Sequence, residues 1–369
     1  MKFSGFDHEC MALALRLAEK GLYTTHPNPR VGCVIADSEK VLATGWHRIA
    51  GEDHAEIVAL KKAGPLAVGA TAYVTLEPCA HQGRTPACTT ALMEAGIARI
   101  IFAAEDPYPE VNGKGKAQLR SAGLSVQGGL MESQARTLNA GYFKRIIDGL
   151  PWVRIKSAQS LDGRTALANG DSQWITSEQS RADVQHWRAR SDAILTGIGT
   201  VVADDPRLTV RSGVVKRQPL RVVVDSRFRI NPDSQVLDPK QDALIVGCVP
   251  GRAMDRLAEQ GVECLLVAGQ QEGQAMRPDL ELTLKALAGR GINEVQVEAG
   301  ATLCGALLSE DLVDEILLYQ APKLLGIDGP PAFSIGPLES VEQGMHLELR
   351  EAVRFGPDFR FRLTPKKRA

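Results

Sequence analysis

The sequence has almost no net charge: 43 basic against 44 acidic side chains leave −1 over 369 residues. So balanced a surface sets up no field for a polyanion, and aromatics at only 5% offer few rings to stack on bases, so nucleic acid is not an expected partner. Long apolar runs are also missing, and none approaches the ~20 residues that cross a bilayer. The opening MKFSGFDHECMALALRLAEKG threads charges through its apolar positions and reads as an amphipathic helix rather than a secretory signal, so no membrane partner is expected. Cysteines are few and odd in number, seven, at 10, 33, 79, 88, 248, 264 and 304. Most lie in apolar segments, as buried thiols of a reducing compartment do, and a cytoplasmic location is the expectation. Only Cys79 and Cys88 stand in polar, turn-rich sequence.

What remains is an ordinary globular composition, 44% hydrophobic and 24% charged, in a chain longer than one core usually sustains. Two domains are therefore expected. In the first, an amphipathic helix over 7–20 precedes strands at 31–37 and 40–47, and a helix begins near His54 and stops at Ala63-Gly64-Pro65. A strand over 70–78, a helix over 89–96, a strand over 99–106 and a helix over 116–123 continue the alternation, the mark of a layered α/β domain. After a helix ending in KRIIDGLP a new strand opens with WVRIKSAQS, which places the domains at 1–148 and 149–369. The second half alternates again. Strands are expected over 191–197, 220–226, 242–249, 263–269, 293–300 and 314–322 and near the C-terminus, with helices over 177–190, 251–260, 279–290 and 301–309.

A zinc ion that does chemistry takes three protein ligands and leaves one position for water. His54-Ala55-Glu56, followed by Pro78-Cys79 and then Cys88, supplies that set. Residues two apart on a helix do not share a face, so Glu56 is not expected as a fourth ligand. From beside the ion it reaches the bound water instead, taking its proton and returning it to a ring nitrogen and then to departing ammonia, the acid/base role in zinc deaminases. The spacer between the cysteines, AHQGRTPA, is longer than the two residues usual for such sites, and Cys88 leads into a helix whose N-terminal dipole favours a thiolate. Upstream, Asn28 stands between two prolines that fix its loop, where its amide can meet a substrate hydroxyl or simply cap a turn. Among the remaining histidines, 26, 47 and 81 each read as structural or solvent-facing, with His81 the best substrate contact.

The second half holds two glycine turns after strands, TGIGT (196–200) leading to Asp204-Asp205-Pro206, and VEAG running into ATLCGALL. Free N–H groups at such turns can face a phosphate. The GxGxxG fingerprint of the doubly wound dinucleotide fold is absent, and either turn alone is also an ordinary strand-to-helix connection.

Taken together, THPNPRVGCVI, the HAE triplet, TLEPCAHQGRTPAC, SLDGRTA, SQWIT, TGIGTVVADDPRLTVR and VEAGATLCGALL resemble the bifunctional riboflavin-biosynthesis deaminase/reductase family over nearly the whole chain. The resemblance implies a cytidine-deaminase-like three-layer α/β domain followed by a dihydrofolate-reductase-like domain. It implies Zn2+ and NADPH as cofactors and a small-molecule substrate, a diaminated pyrimidinone carrying a phosphoribosylamino group. That substrate is deaminated to a uracil, and its ribosyl group is then reduced to ribityl. It assigns Ala158, Trp174, Thr200, Asp204, Ser226 and the stretch Gly300, Ala301, Thr302, Leu303, Cys304, Gly305, Ala306 to the cofactor. Ser172, Arg188, Leu208, Arg211 and Glu298 fall to the substrate, the arginines to its phosphate. Read by themselves, Trp174 fits a core position, Arg188 a solvated helix charge and Asp204 a turn. Lys156, Asp162 and Arg164 lie in the SLDGR region, where ligand contact and loop scaffolding are equally open. Asp204 is also a candidate proton donor to the ribose oxygen. A homodimer through the second domain is a further expectation of the resemblance. The competing readings are a deaminase of free nucleosides or tRNA whose second half is a binding module, and a degenerate reductase-like protein whose zinc site is only structural, against which the intact Glu56 counts.

Overall fold

A computed structural model describes residues 3–80, 87–213, 217–272 and 275–366. The chain divides into two compact units, Met1–Gly149 and Leu150–Ala369.

The first unit carries a five-stranded sheet. In chain order its elements are α1 (Gly5–Glu19), β1 (Gly32–Ala36), β2 (Val41–Trp46), α2 (Ala55–Ala63), β3 (Thr71–Leu76), α3 (Cys88–Glu94), β4 (Arg99–Ala104), α4 (Lys114–Ser121), β5 (Ser125–Gly128), α5 (Glu132–Leu138) and α6 (Ala140–Asp148). The strand order is β2-β1-β3-β4-β5, antiparallel as far as β3 and parallel beyond it. Alternate residues of the buried strands feed two cores. Val34, Tyr73 and Ile101 pack against α1, α5 and α6, while Cys33, Ile35, Val74 and Phe102 pack against α2, α3 and α4. That is three layers, helices on both faces of a sheet whose central strands are apolar throughout. α1 starts cleanly because Ser4 caps the Asp7 N–H while Asp7 returns a bond to the Ser4 N–H. Gly45 lets α2 lie directly on β2, since a Cβ there would sit 2.2 Å from the Ala55 carbonyl oxygen.

The second unit is built on a nine-stranded sheet. Its elements are β6 (Trp152–Ser160), α7 (Glu178–Arg190), β7 (Ala193–Gly197), α8 (Ile198–Asp204), β8 (Leu220–Val224), β9 (Ala243–Gly247), α9 (Arg252–Glu259), β10 (Glu263–Leu266), β11 (Gly269–Glu272), β12 (Ala275–Pro278), α10 (Leu280–Gly289), β13 (Glu294–Val297), α11 (Ala301–Ser309), β14 (Glu315–Ala321), β15 (Leu347–Phe355) and β16 (Asp358–Pro365). The order is β10-β9-β8-β7-β13-β6-β14-β16-β15. Pairing is parallel from β10 through β14, and the last two strands add on antiparallel. One face packs on α10 and α11 through Leu284, Leu287 and Leu307, the other on α8 and α9 through Val201 and Leu257.

Several elements depart from the sequence expectations, among them β5 and α5, where none was expected. The TGIGT turn runs into a helical segment, α8, of seven residues, too short to show a 3.6-residue apolar period. The hairpin of β11 and β12 falls where a plain connection was expected. β15 is an edge strand, unexpected from the sequence, whose first four residues are exposed and whose alternation of Leu347, Leu349, Val353 and Phe355 is broken at Glu351, where the register shifts. Among the described residues no helix is long and apolar enough to cross a membrane.

Candidate active sites

In the first unit three short connections bring the metal-ligand candidates to one point. His54 is the N-cap of α2, Cys79 follows β3 after Glu77-Pro78, and Cys88 is the first residue of α3. Their donor atoms all lie within 4.8 Å of one another. His54 Nδ1 is 3.2 Å from the Cys88 Sγ and 3.7 Å from the Cys79 Sγ, and the Cys88 N–H donates to the Cys79 Sγ at 3.3 Å. The Cys79 thiol is pulled down to about 4, first by the hydrogen bond from the Cys88 thiol and then, against burial, by His54; the Cys88 thiol moves the opposite way. One imidazole and two sulfurs, one already favoured as thiolate, are the donors a tetrahedral zinc takes when a fourth position stays open, so these residues fit the ion.

Glu56, at the second position of α2, is 3% exposed, and burial raises its carboxyl. It lines a cavity of about 590 Å³ together with Asn28, His47, His54, Cys79 and Asp106. Its carboxyl is hydrogen-bonded with the Cys88 thiol but is not one of the three converging donors, which suits a proton carrier rather than a ligand. His81 lies outside the described residues.

Two residues of this cavity were not read from the sequence. Asp106, just beyond β4, is 6% exposed; one carboxylate oxygen accepts from the Tyr108 N–H and the Tyr142 hydroxyl, both at 2.9 Å, and burial lifts it to about 6. An acidic residue past the carboxyl end of a buried strand was a usable signal, because ligand sites of parallel sheets gather at that end. His47, read as structural or solvent-facing, is buried against the cavity with its ring edge-on to His54, centroids 5.4 Å apart.

In the second unit the two glycine turns lie side by side. β7 and β13 are adjacent parallel strands, the Glu298 N–H donates to the Leu195 carbonyl at 2.9 Å, and the Thr196 hydroxyl donates to the Glu298 carbonyl at 2.7 Å. α8, bearing Thr200 and Asp204, and α11, capped by Gly300, therefore start at the same end of the sheet. Arg188 is not a solvated helix charge. It forms a forked pair with Glu298 (2.6 and 2.8 Å) and donates to the Thr209 carbonyl at 3.0 Å. Against the cost of burial, the Arg188 charge and its hydrogen bonds, with Lys156 nearby, hold Glu298 at about 2. Lys156 on β6 feels both Glu298 and Arg188, and burial pushes its ammonium down.

The other candidates sort by exposure. Trp174 is not core: it is 56% exposed, with the Arg181 guanidinium 4.3 Å from its ring centre and its carbonyl accepting from Lys323 Nζ at 2.7 Å. Ser172 is half-buried in the same loop, and Ala158 and Ser226 are half-buried at the ends of β6 and β8. Within the 300–306 stretch, Gly300 to Leu303 are open or half-open, while Cys304 and Gly305 turn into the core. Gly305 is held there because a Cβ would meet the Ser334 carbonyl oxygen at 1.9 Å; Ala306 is half-buried. The Leu208 side chain is also core, which leaves its backbone to face a ligand. Arg211 is exposed, its N–H on Gln185 at 2.8 Å, and Asp204 is exposed at the last turn of α8, its carboxyl raised by partial burial. Asp162 and Arg164 are scaffolding: Asp162 accepts from the Leu325 and Gly326 N–H groups, and Arg164 donates to the Gly326 and Gly329 carbonyls.

A three-layer α/β unit with a His-Cys-Cys cluster beside a buried glutamate, joined to a reductase-like parallel-sheet unit, defines a bifunctional deaminase/reductase. Residues 4–104 match the cytidine and deoxycytidylate deaminase zinc-binding region, and residues 151–361 match the RibD C-terminal domain. The chain is 44% identical to the riboflavin biosynthesis protein RibD of Escherichia coli over 95% of its own length and 97% of that protein. It superposes on RibD of Acinetobacter baumannii with a TM-score of 0.90 at 43% identity, covering 98% of this chain and 99% of that one. With the Thermotoga maritima diaminohydroxyphosphoribosylaminopyrimidine deaminase/5-amino-6-(5-phosphoribosylamino)uracil reductase the TM-score is 0.85 at 30% identity, over 98% and 99% of the two chains. The chain belongs to the RibD family of bifunctional riboflavin-biosynthesis enzymes, with a zinc-dependent deaminase domain and an NADPH-dependent reductase domain.

Proposed function

We propose that the first unit hydrolytically deaminates a diaminated pyrimidinone carrying a phosphoribosylamino group, and that the second reduces the ribosyl group of the resulting aminouracil to ribityl. The observation that carries this reading is the convergence of His54, Cys79 and Cys88 beside the buried Glu56, at a cavity wide enough for a nucleotide-sized base.

His54, Cys79 and Cys88 would hold the zinc. When bound, the ion supplies Lewis acidity that brings a water's pKa toward neutrality. Glu56 accepts one proton from the attacking water and delivers it to the ring nitrogen, then takes the second from the hydroxyl so formed on the ring carbon and delivers it to the departing amine, so ammonia leaves as the carbonyl forms. Burial suits Glu56 to carrying a proton, because it raises the carboxyl above its ordinary range and so favours the protonated form more than an exposed glutamate would. Asp106 and Asn28 place acceptors on the same cavity for the N–H and O–H groups of the substrate.

When bound, NADPH would supply the hydride in the second unit, and the open turn at Gly300–Leu303 would hold its phosphates. Glu298, kept ionised by Arg188, is a fixed acceptor for sugar hydroxyls. Lys156, beside that pair, is better placed than the exposed Asp204 to hand a proton to the ribose oxygen as the ring opens. The forked Arg188 pair makes its role one of orienting Glu298, and leaves the exposed Arg211 as the phosphate partner. A cytoplasmic location and a homodimer formed through the second unit complete the reading.

The test is to incubate the purified protein with the diaminated pyrimidine phosphate, with and without NADPH. Ammonia release without NADPH, and NADPH oxidation only after deamination, is the expected result. Turnover of cytidine or tRNA in place of this substrate would overturn it.

A further inference from the structure

The Asn28 amide meets the cavity through a histidine that the chemistry above leaves unused. His47 is 3% exposed, and both ring nitrogens are engaged: Nδ1 lies 3.1 Å from the Asp53 carbonyl oxygen and Nε2 lies 3.1 Å from Asn28 Nδ2. A carbonyl oxygen can only accept, so the Nδ1 proton is fixed on that side. In the neutral ring Nε2 is then a bare lone pair, and the group it meets must be a donor. That settles which way Asn28 is turned. Its NH2 faces His47, and its Oδ1 faces away, without a hydrogen-bond partner among the described residues. The backbone is pinned as well: the Asn28 N–H donates to the Thr25 carbonyl at 2.8 Å, and the His47 N–H to the Val31 carbonyl at 2.9 Å.

We infer that His47 is a positioning residue that locks the Asn28 amide with its carbonyl oxygen toward the cavity, so that the deaminase site selects substrates presenting an N–H or O–H donor at that point. The proton is set by the carbonyl of Asp53, the residue immediately before the ligand candidate His54, so one main-chain group fixes the entry to α2 and the reading of the substrate together. With Asn28 flipped, an NH2 would confront the substrate donor and a carbonyl oxygen would confront the Nε2 lone pair, two repulsions in place of two bonds.

This inference rests on the deaminase reading above, and ammonia release by the unaltered enzyme tests that reading separately. The discriminating pair is His47→Gln and His47→Asn. Glutamine carries an acceptor near the Nε2 position and keeps Asn28 oriented; asparagine reaches only the Nδ1 position and releases it. The expected result is that H47N raises the deaminase KM about tenfold with kcat within about threefold, while H47Q stays within about threefold of the unaltered enzyme on both. N28A should match H47N, and the double variant N28A/H47N should be no worse than N28A alone, the non-additivity of a residue acting through another. Zinc content and NADPH oxidation on the deaminated substrate serve as controls for folding. Should H47N fail to fold, H47A carries the test, since it removes the acceptor that holds the Asn28 NH2 while leaving Asn28 itself intact, and is expected to share the KM increase. A wild-type KM in H47N or H47A, a loss of H47Q equal to that of H47N, or multiplied losses in the double variant would overturn the inference.

Discussion

The two units share a construction, helices on both faces of a sheet with chemistry at strand ends, yet they treat a buried carboxylate in opposite ways. In the first, Glu56 and Asp106 are buried with no lysine or arginine among the causes of their shifts, and both carboxyls are raised. In the second, Glu298 is somewhat less buried, forked by Arg188 and held at about 2. Glu56, which must carry a proton, has no forked arginine partner, and Glu298, which must stay an ionised acceptor, is given one.

The largest test of that contrast is Glu56→Gln, expected to lower ammonia release by about a thousandfold or more while zinc stays bound and NADPH oxidation on the deaminated substrate is unchanged. Loss of both activities in a folded variant would break the separation of the two centres. Metal removal should sharpen the same line: chelation abolishes ammonia release, and the reductase rate, measured by NADPH absorbance, persists. Next in size, Arg188→Met should cut the reductase kcat/KM by about a hundredfold and lower the second unit's melting temperature, because Glu298 is left buried without its counter-charge. A wild-type melting curve in that variant would mean the pair is dispensable.

The signs of the pKa shifts predict opposite acid responses. Glu298 is depressed from 4.5 to about 2, so its contribution is full above pH 4.5 and drains away as pH falls toward 2. Asp106 is raised from 3.8 to about 6, so the native first unit holds the extra proton in that window and loses stability as pH rises from 3.8 through 6. Asp106→Asn should flatten the first unit's stability between those values and leave the second's unchanged, which calorimetry of the metal-free protein can resolve. The smallest effect is at Trp174. Its exposed cation–π contact with Arg181 is worth about 0.5–1 kcal/mol, so Trp174→Ala should raise the NADPH KM only several-fold, without touching deamination.

Legibility in the sequence followed the rarity of the chemistry. A histidine, a glutamate two residues on and two cysteines in polar sequence are uncommon enough to suggest a metal centre, and the buried apolar strands marked the layers through their runs. Asp106 and Lys156 were not assigned, because an aspartate after a strand or a lysine within one has many structural explanations until the fold shows what it faces. Arg188 and Trp174 were read with their burial reversed, since a charged residue on a polar helix and a tryptophan are ordinarily outside and inside. The spacing could not reveal that a counter-charge from the end of β13 makes burial tolerable for one, or that an arginine stacks on the other in an exposed loop. β15 was missed because its apolar alternation is broken at Glu351, where the register shifts.

The boundary between the two units falls on one peptide bond, Gly149 to Leu150. Every molecule made therefore carries one copy of each centre, a fixed one-to-one dosage that no change in expression can unbalance. Production of the intermediate and capacity to consume it rise and fall together in the cell, and any standing pool of it is set by the ratio of two turnover numbers within a single polypeptide.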